Sequence, residues 1–203
     1  MDAEFWNERY ADDARSYGEA PNAFLAACAG LLPTAGRALV PGDGQGRNGV
    51  WLAERGLDVT SIDLSDVAVG QARALAARRG VEIDARVGDL LADPPEARAF
   101  DVVAVIYLHV PPELRPRLHG VLADALAPGG VMVVEGFAPG QTALREGGSG
   151  GPPREDMMID LATLAADMPA LDRLYGEEAT LALAEGQFHR GLAKVCRAVL
   201  RRP

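Results

Sequence analysis

Between residues 37 and 137, short apolar runs alternate with helical stretches, and this alternation constrains the fold more than any other feature of the chain. Residues 37–41 form a short apolar strand. Residues 46–55 read as a helix closed by Gly56 at the C′ position. Residues 58–62 (DVTSI) are a β-branched strand, followed by a helix with Ser65 as N-cap that runs to Arg79 and stops at Gly80. Residues 81–87 (VEIDARV) alternate strictly, as a strand with one polar face does. Residues 100–108 (FDVVAVIYL) and 131–137 (VMVVEGF) are nearly continuous apolar runs, expected of parallel strands buried on both faces. Between them Pro111-Pro112 open a helix to Leu126, ended by Pro128-Gly129-Gly130. Such alternation argues a parallel sheet with right-handed crossovers.

The two ends of the chain differ. Residues 3–10 suit a short helix, and residues 11–19 a polar link. Pro21 then starts a helix with Phe24, Leu25, Cys28, Leu31 and Leu32 at helical spacing. Residues 140–154 (GQTALREGGSGGPPR) are too long for a plain connection, which leaves a lid or a disordered loop. A helix over 160–168 precedes two strands, 171–183 and 191–200, joined by AEGQFHR. The expected fold is α/β, doubly wound and Rossmann-like: a mainly parallel seven-stranded sheet, helices on both faces and an antiparallel C-terminal strand pair. It is read as a single domain, with an N-terminal helical cap or lid (1–35) and a cofactor-binding core (36–137). A flexible Gly/Pro-rich loop (138–158) leads into a C-terminal helix and β-hairpin (159–203).

A length of 203 residues suits one domain with a full core. The formal net charge of −9 disfavours nucleic acid as a partner. Cys28 and Cys196 have neither the spacing nor the His neighbours of a zinc site, so they are read as small buried apolar residues, and no metal is expected. The N-terminus lacks an apolar signal region, and no run approaches the roughly 18 apolar residues of a membrane helix. A cytoplasmic protein that does not engage membranes, monomeric or homodimeric, is expected.

The loop after the first strand, VPGDGQGRNG, spells G-x-G-x-x-G from Gly44, the dinucleotide fingerprint, and G-x-G-x-G from Gly42 with an acid inside it. Asp63 lies 19 positions after Gly44, where a ribose-binding acid belongs, but a ribose is common to NAD and S-adenosylmethionine. Asp43 discriminates unless it points away and only caps the turn, and Asp89 is the second discriminator. NAD would bring its pyrophosphate to the helix N-terminus, and a carboxylate about 4 Å away would cost about 4 kcal/mol at an effective dielectric near 20. The ammonium and sulfonium of S-adenosylmethionine would be attracted by the same acid. Asp89, at the end of the third strand, can accept from the adenine amine while the Leu90 N–H reaches the ring; capping the next turn is the other reading. No Y-x-x-x-K pair for hydride chemistry occurs. An NAD-binding oxidoreductase and a non-catalytic nucleotide-binding module remain as alternatives.

Taken together, the chain resembles the class I S-adenosylmethionine-dependent methyltransferases and, within them, the bacterial tellurite-resistance-type group. The resemblance is carried by FWNERY with YGEAPNAFL, PGDGQGRNGVWLAERGLDVTSIDLSDVA, YLHVPPELRPRLH, LAPGGVMVVEGF and the closing EGQFHRG. It implies that Gly42, Asp43, Gly44 and Arg47 frame the methionine end, that Asp63 and Leu64 meet the ribose, and that Asp89 and Leu90 meet the adenine. Ile106 and Tyr107 would lie beneath the sulfonium. One departure is Val40, where many relatives carry an acid two residues before the first glycine; Asp43 is then the acid left in the loop.

Methyl transfer from a sulfonium is an in-line displacement that needs alignment and exclusion of water, and a base only when the acceptor arrives protonated. His109, just past the fourth strand, is the candidate base, with orientation of the proline turn as the competing role. His189 and Arg190 could set a cation over an anionic acceptor, or form a solvated turn. Tyr17 and Trp6 could fold over the cofactor, and Glu135 is either a pocket wall or a polar contact to substrate. His119 falls inside a helix. The resemblance suggests a small-molecule methyl acceptor with a soft nucleophile: a thiol, a metalloid oxyanion or a halide.

Overall fold

The computed structural model describes residues 2–11, 16–144 and 149–203. Within them seven strands form one sheet: β1 (Arg37–Pro41), β2 (Asp58–Asp63), β3 (Asp84–Val87), β4 (Phe100–Ile106), β5 (Leu126–Phe137), β6 (Asp172–Glu185) and β7 (His189–Arg201). Their order is β3-β2-β1-β4-β5-β7-β6. Neighbours from β3 to β5 pair in parallel. β7 pairs antiparallel with both β5 and β6, so it alone runs against the rest. The chain winds outward from β1 to β3, then returns to β4 and winds the other way. That reversal opens a crevice at the carboxyl ends of β1 and β4, the place where such sheets bind ligands.

The helices are α1 (Ala3–Tyr10), α2 (Ala23–Ala27), α3 (Arg47–Glu54), α4 (Asp66–Arg79), α5 (Arg115–Ala125) and α6 (Leu161–Asp167). Alternate residues of the central strands fill two layers. Leu39, Val103, Val105, Met132 and Val134 pack with Leu118 and Leu122 of α5 and Leu164 of α6. Their sequence neighbours Val40, Val102, Ala104 and Val133 pack with Phe24 and Leu25 of α2 and Leu52 of α3. Side chains alternate across a strand, so a strand covered on both faces must be apolar at every position. Ser65 caps α4 by accepting from the Ala68 N–H (3.0 Å), and Gly80 closes it. Among the described residues no helix is long and apolar enough to cross a membrane.

Several boundaries depart from the sequence reading: β4 ends at Ile106 rather than 108, β5 begins at Leu126 and takes in Pro128-Gly129-Gly130, and three others have a local cause. β3 is shorter, because the Val81 N–H donates to Ala76 O (3.1 Å) and Val81 and Ile83 pack on α4; only residues 84–87 pair with β2. α5 begins at Arg115, because Leu114 and Arg115 N–H both donate to Pro111 O and make the preceding residues a turn. The terminal hairpin is longer: Glu185 and His189 are its last paired residues, and only 186–188 turn. Gly186 is required there. It lies at φ +68°, and a Cβ would run into the backbone of Tyr17 and Gly18. The N–H groups of Gln187 and Phe188 both donate to Ser16 O (2.9 and 3.0 Å), so the hairpin tip grips the N-terminal segment.

Of the Gly/Pro-rich loop, residues 145–148 lie outside the described residues, and with them that part of the expected lid or disorder. The flanks are tied together. The buried Gln141 amide donates to Ser149 Oγ (2.8 Å) and Gly150 O (2.9 Å), and its oxygen accepts from Lys194 N–H (2.7 Å). Ile159 N–H donates to Phe137 O (3.0 Å), which brings Met157 under the end of β5.

Candidate active site

The carboxyl ends of β1 and β2 hold two acids that behave differently. Asp63 is 8% exposed, and its two oxygens accept from Gly44 N–H (2.8 Å) and Ser65 N–H (2.9 Å). Burial raises its pKa, while the backbone donors of Ser65, Gly44 and Leu64 pull it back. A carboxylate has about four acceptor positions, so Asp63 keeps room for further donors such as a vicinal diol.

Asp43 turns the other way. Its carboxylate accepts from the Gly49 N–H of α3 (3.2 and 3.3 Å) and from Ser61 Oγ (3.0 Å). Burial pushes its pKa up to about 6 against the help of those two donors. This corrects the reading of Asp43 as the acid that meets the methionine ammonium: the group is spent on joining the loop to α3 and β2. The literal G-x-G-x-x-G is explained by the same contact, because its third glycine, Gly49, makes room for the Asp43 carboxylate.

Arg47 reaches back across the sheet. Its guanidinium donates to Tyr17 O (3.0 Å) and pairs with Glu185 (2.7 Å) at the hairpin tip, both side chains being almost fully buried. Glu185 also accepts from Asn22 Nδ2 and Ala23 N–H (3.1 Å each). Burial works to raise the Glu185 pKa, but His189 and Arg47 hold it down at about 2. α1 covers the loop. Tyr10 stands on Gly44, where a Cβ would come within 2.5 Å of its hydroxyl, and Trp6 stacks on Tyr10 (5.9 Å). Asn7 accepts from Ser65 Oγ (2.6 Å), and Gln71 donates to Tyr10 O (2.9 Å).

Beyond the loop, at the ends of β4 and β5, aromatic rings surround His189. Tyr107 lies 4.3 Å from it, Tyr17 4.6 Å and Phe137 5.4 Å, centroid to centroid. His189 is 5% exposed and its Nδ1 has no hydrogen-bond partner; Glu185 stands 3.9 Å from that nitrogen. Burial lowers its pKa, Arg47 and Arg9 lower it further, and Glu185 opposes them. Tyr107 sits at φ +53°, a strained conformation for a bulky residue. It is held by donating its hydroxyl to Glu135 (2.8 Å). Glu135, 1% exposed, also meets Arg197 (3.4 Å), while its second oxygen makes no hydrogen bond; burial raises its pKa.

Comparison with known proteins assigns this geometry. Residues 38–130 match a family model described as a methyltransferase domain. A thiopurine S-methyltransferase of Pseudomonas entomophila is 33% identical over 148 residues, 62% of this chain and 67% of that one. The chain belongs to the class I S-adenosylmethionine-dependent methyltransferases. The fold agrees. The protein solved for the conversion of a disulfide bond into a thioacetal group during echinomycin biosynthesis superposes with a TM-score of 0.74 at 21% identity, over 99% of this chain and 89% of that one. TehB from Haemophilus influenzae gives 0.72 at 15% identity, over 99% and 67%.

For this methyltransferase the cofactor is S-adenosylmethionine, and the residues at the crevice suit it. The acid with acceptor capacity to spare, Asp63, faces the loop, and the buried cation, Arg47, lies one turn from it.

The remaining predicted residues divide. Tyr17, Tyr107, Glu135 and His189 come together. His109 does not join them as a base: Nδ1 lies 3.0 Å from Met157 O, Nε2 accepts from Phe137 N–H (3.0 Å), and burial drives its pKa down to about 4. Arg190 is exposed and donates to Gly186 O (2.9 Å), so it stands outside the ring cluster, and burial of His189 disfavours its cationic form. Asp89 is exposed and caps the following turn through Leu91 N–H (2.8 Å); Leu90 and Ile106 are core residues and Leu64 is at the rim. His119 is buried against Asp167 (2.8 Å) between α5 and α6. The sequence reading missed Tyr10, Asn22, Ser61 and Glu185. The E-G-x-x-H run offered a signal, since a tight turn after Glu185 pairs it with His189.

Proposed function

We propose that this small-molecule methyltransferase acts in the cytoplasm on a soft nucleophile, of which a thiol is the best supported. The observation that carries this reading is the cluster in which the rings of Tyr17, Tyr107, Phe137 and His189 pack on one another at the carboxyl ends of β4 and β5, polarisable surfaces that favour contact with a sulfur nucleophile. The 33% identical relative is named for S-methylation, which agrees.

Bound S-adenosylmethionine supplies a methyl group already activated on a sulfonium. The chain supplies alignment and dryness. On this reading Asp63 holds the ribose hydroxyls and Gly42 and Gly44 let the backbone approach. Arg47 takes the methionine carboxylate, and Leu64, Asp89 and Leu90 edge the adenine. Ile106 and Tyr107 floor the reacting carbon, and the Tyr107–Glu135 bond fixes the ring that bounds the acceptor. Rings packed around the line of attack exclude water.

Calorimetry with S-adenosylmethionine and with NAD tests the cofactor reading; binding of NAD alone would sink it. Asp63→Ala, checked for folding by thermal melting, is expected to lose S-adenosylmethionine binding, and unchanged affinity would discard the assignment of the site. A panel of thiols, metalloid oxyanions and halides followed by S-adenosylhomocysteine release tests the acceptor, with thiols turning over fastest. No release from any of them would favour a non-catalytic binding module.

A further inference from the structure

Every hydrogen-bonding position of His109 is taken, so a base, where the acceptor arrives protonated, comes from elsewhere. His189 is the other buried imidazole at the carboxyl ends of β4 and β5. It is walled by Tyr17, Tyr107 and Phe137, and Gly150 of the loop passes its Cδ2 edge. Its Nδ1 is buried and makes no hydrogen bond, with Glu185 3.9 Å away. Glu185 faces that nitrogen from the other side of the hairpin turn through Oε2, the same oxygen that pairs with Arg47 at 2.7 Å, while Oε1 accepts from Asn22 and Ala23. Catalytic hydrogen bonds are often long before ligands bind and tighten when they do.

We infer that His189 is the general base of this methyltransferase, oriented by Glu185, and that its acceptor therefore carries the nucleophile protonated, as S–H or O–H on a planar group. The inference rests on the proposed function and narrows it: a halide or a fully ionised oxyanion would have no use for the imidazole. With Nδ1–H directed at Glu185, Nε2 is left with its lone pair. The acceptor's proton passes to Nε2 as its sulfur or oxygen forms the new bond to the methyl carbon. The bond from that carbon to the sulfonium breaks, and its electron pair stays on the departing sulfur. The imidazolium, stabilised by Glu185, then returns its proton to water. Glu135 acts through Tyr107 as a positioning residue.

Burial acts first on the imidazole's proton affinity, and the charged groups that act on it come from three elements, Glu185 on β6, Arg47 on α3 and Arg9 on α1; the rings of Tyr107 and Tyr17 and the neighbouring His109 face the same cluster. Burial, Arg47 and Arg9 lower its pKa and Glu185 raises it, with the lowering prevailing.

The test uses the full chain and two acceptors, benzyl mercaptan, whose thiol is protonated at the assay pH, and 4-nitrothiophenol, already a thiolate. In His189→Gln, kcat/KM is expected to fall further with benzyl mercaptan than with 4-nitrothiophenol by about 10²-fold. Equal losses overturn the inference. Calorimetry with S-adenosylmethionine on the same variant shows that it is folded. A readout free of turnover comes from NMR titration of the His189 ring. Its pKa lies below the ordinary 6.5 and drops further in Glu185→Gln, whereas insensitivity to Glu185 removes the orienting role. If the wild-type protein binds S-adenosylmethionine but methylates neither thiol, the inference fails and the cofactor reading stands; if it does not bind, both fail.

Discussion

Asp43→Asn removes a buried charge while keeping its shape. In the folded protein the carboxyl pKa rises from 3.8 to about 6, roughly two pH units, and each unit corresponds to about 1.4 kcal/mol. The ionised group therefore opposes folding by about 3 kcal/mol at pH 7. The sign follows from the direction. A folded-state pKa above the unfolded one means that the group favours folding fully below pH 3.8, and that this contribution is lost as the pH rises through about 6. Asparagine can keep both bonds, its oxygen accepting from Gly49 N–H and its amide donating to Ser61 Oγ. The variant should gain up to about 3 kcal/mol at pH 7 and almost nothing at pH 4. Urea unfolding at pH 4, 5, 6 and 7, with the midpoint moving at constant slope, measures it. S-adenosylmethionine affinity should stay within about threefold, less than 1 kcal/mol, because the carboxylate is bonded away from the crevice. No gain at pH 7 together with a tenfold or greater loss of affinity would refute the reasoning and return Asp43 to the cofactor.

Other consequences are equally direct. Gly→Ala inside a helix ordinarily stabilises by about 1 kcal/mol, but at Gly49 the new Cβ would run into Asp43 Oδ2. Gly49→Ala should thus lower the melting temperature in the wild-type background and raise it in Asp43→Ala. His109, held at about 4 against its ordinary 6.5, gives stability that is complete above pH 6.5 and is lost as the pH falls toward 4, up to about 3 kcal/mol. Titrating stability of His109→Gln on the Asp43→Asn background, where the opposing titration is removed, should show that loss abolished. Trp6 stacks on the Tyr10 ring that stands over Gly44, so its fluorescence in a Trp51→Phe variant should shift on adding S-adenosylmethionine. A flat emission spectrum at saturating cofactor would mean that α1 does not move.

How much of this was legible depended on the range over which each residue acts. The sheet was readable because β4 and β5 are apolar at both parities, and that pattern has one common cause, burial on two faces. Ser65 and Gly80 were readable because a cap acts over three residues. Asp63 was readable because the turn from β1 through α3 fixes its distance from Gly44. Asp43 was not, since its direction is decided by Ser61, a β2 residue whose hydroxyl has no local signature. The hairpin tip was harder still. AEGQFHR has the composition of a turn, and only register shows that Glu185 and His189 end the two strands as partners. The meaning of that pair comes from Arg47, 138 residues earlier, and from Tyr17 and Tyr107, brought in by two other elements. Glu185, which the sequence reading did not single out, and His189, read as a cation over the acceptor or part of a solvated turn, become part of a buried ion pair and a buried imidazole because the hairpin tip folds back onto Arg47 and the N-terminal segment. No local pattern encodes that closure; the pairing of β7 with β5 does.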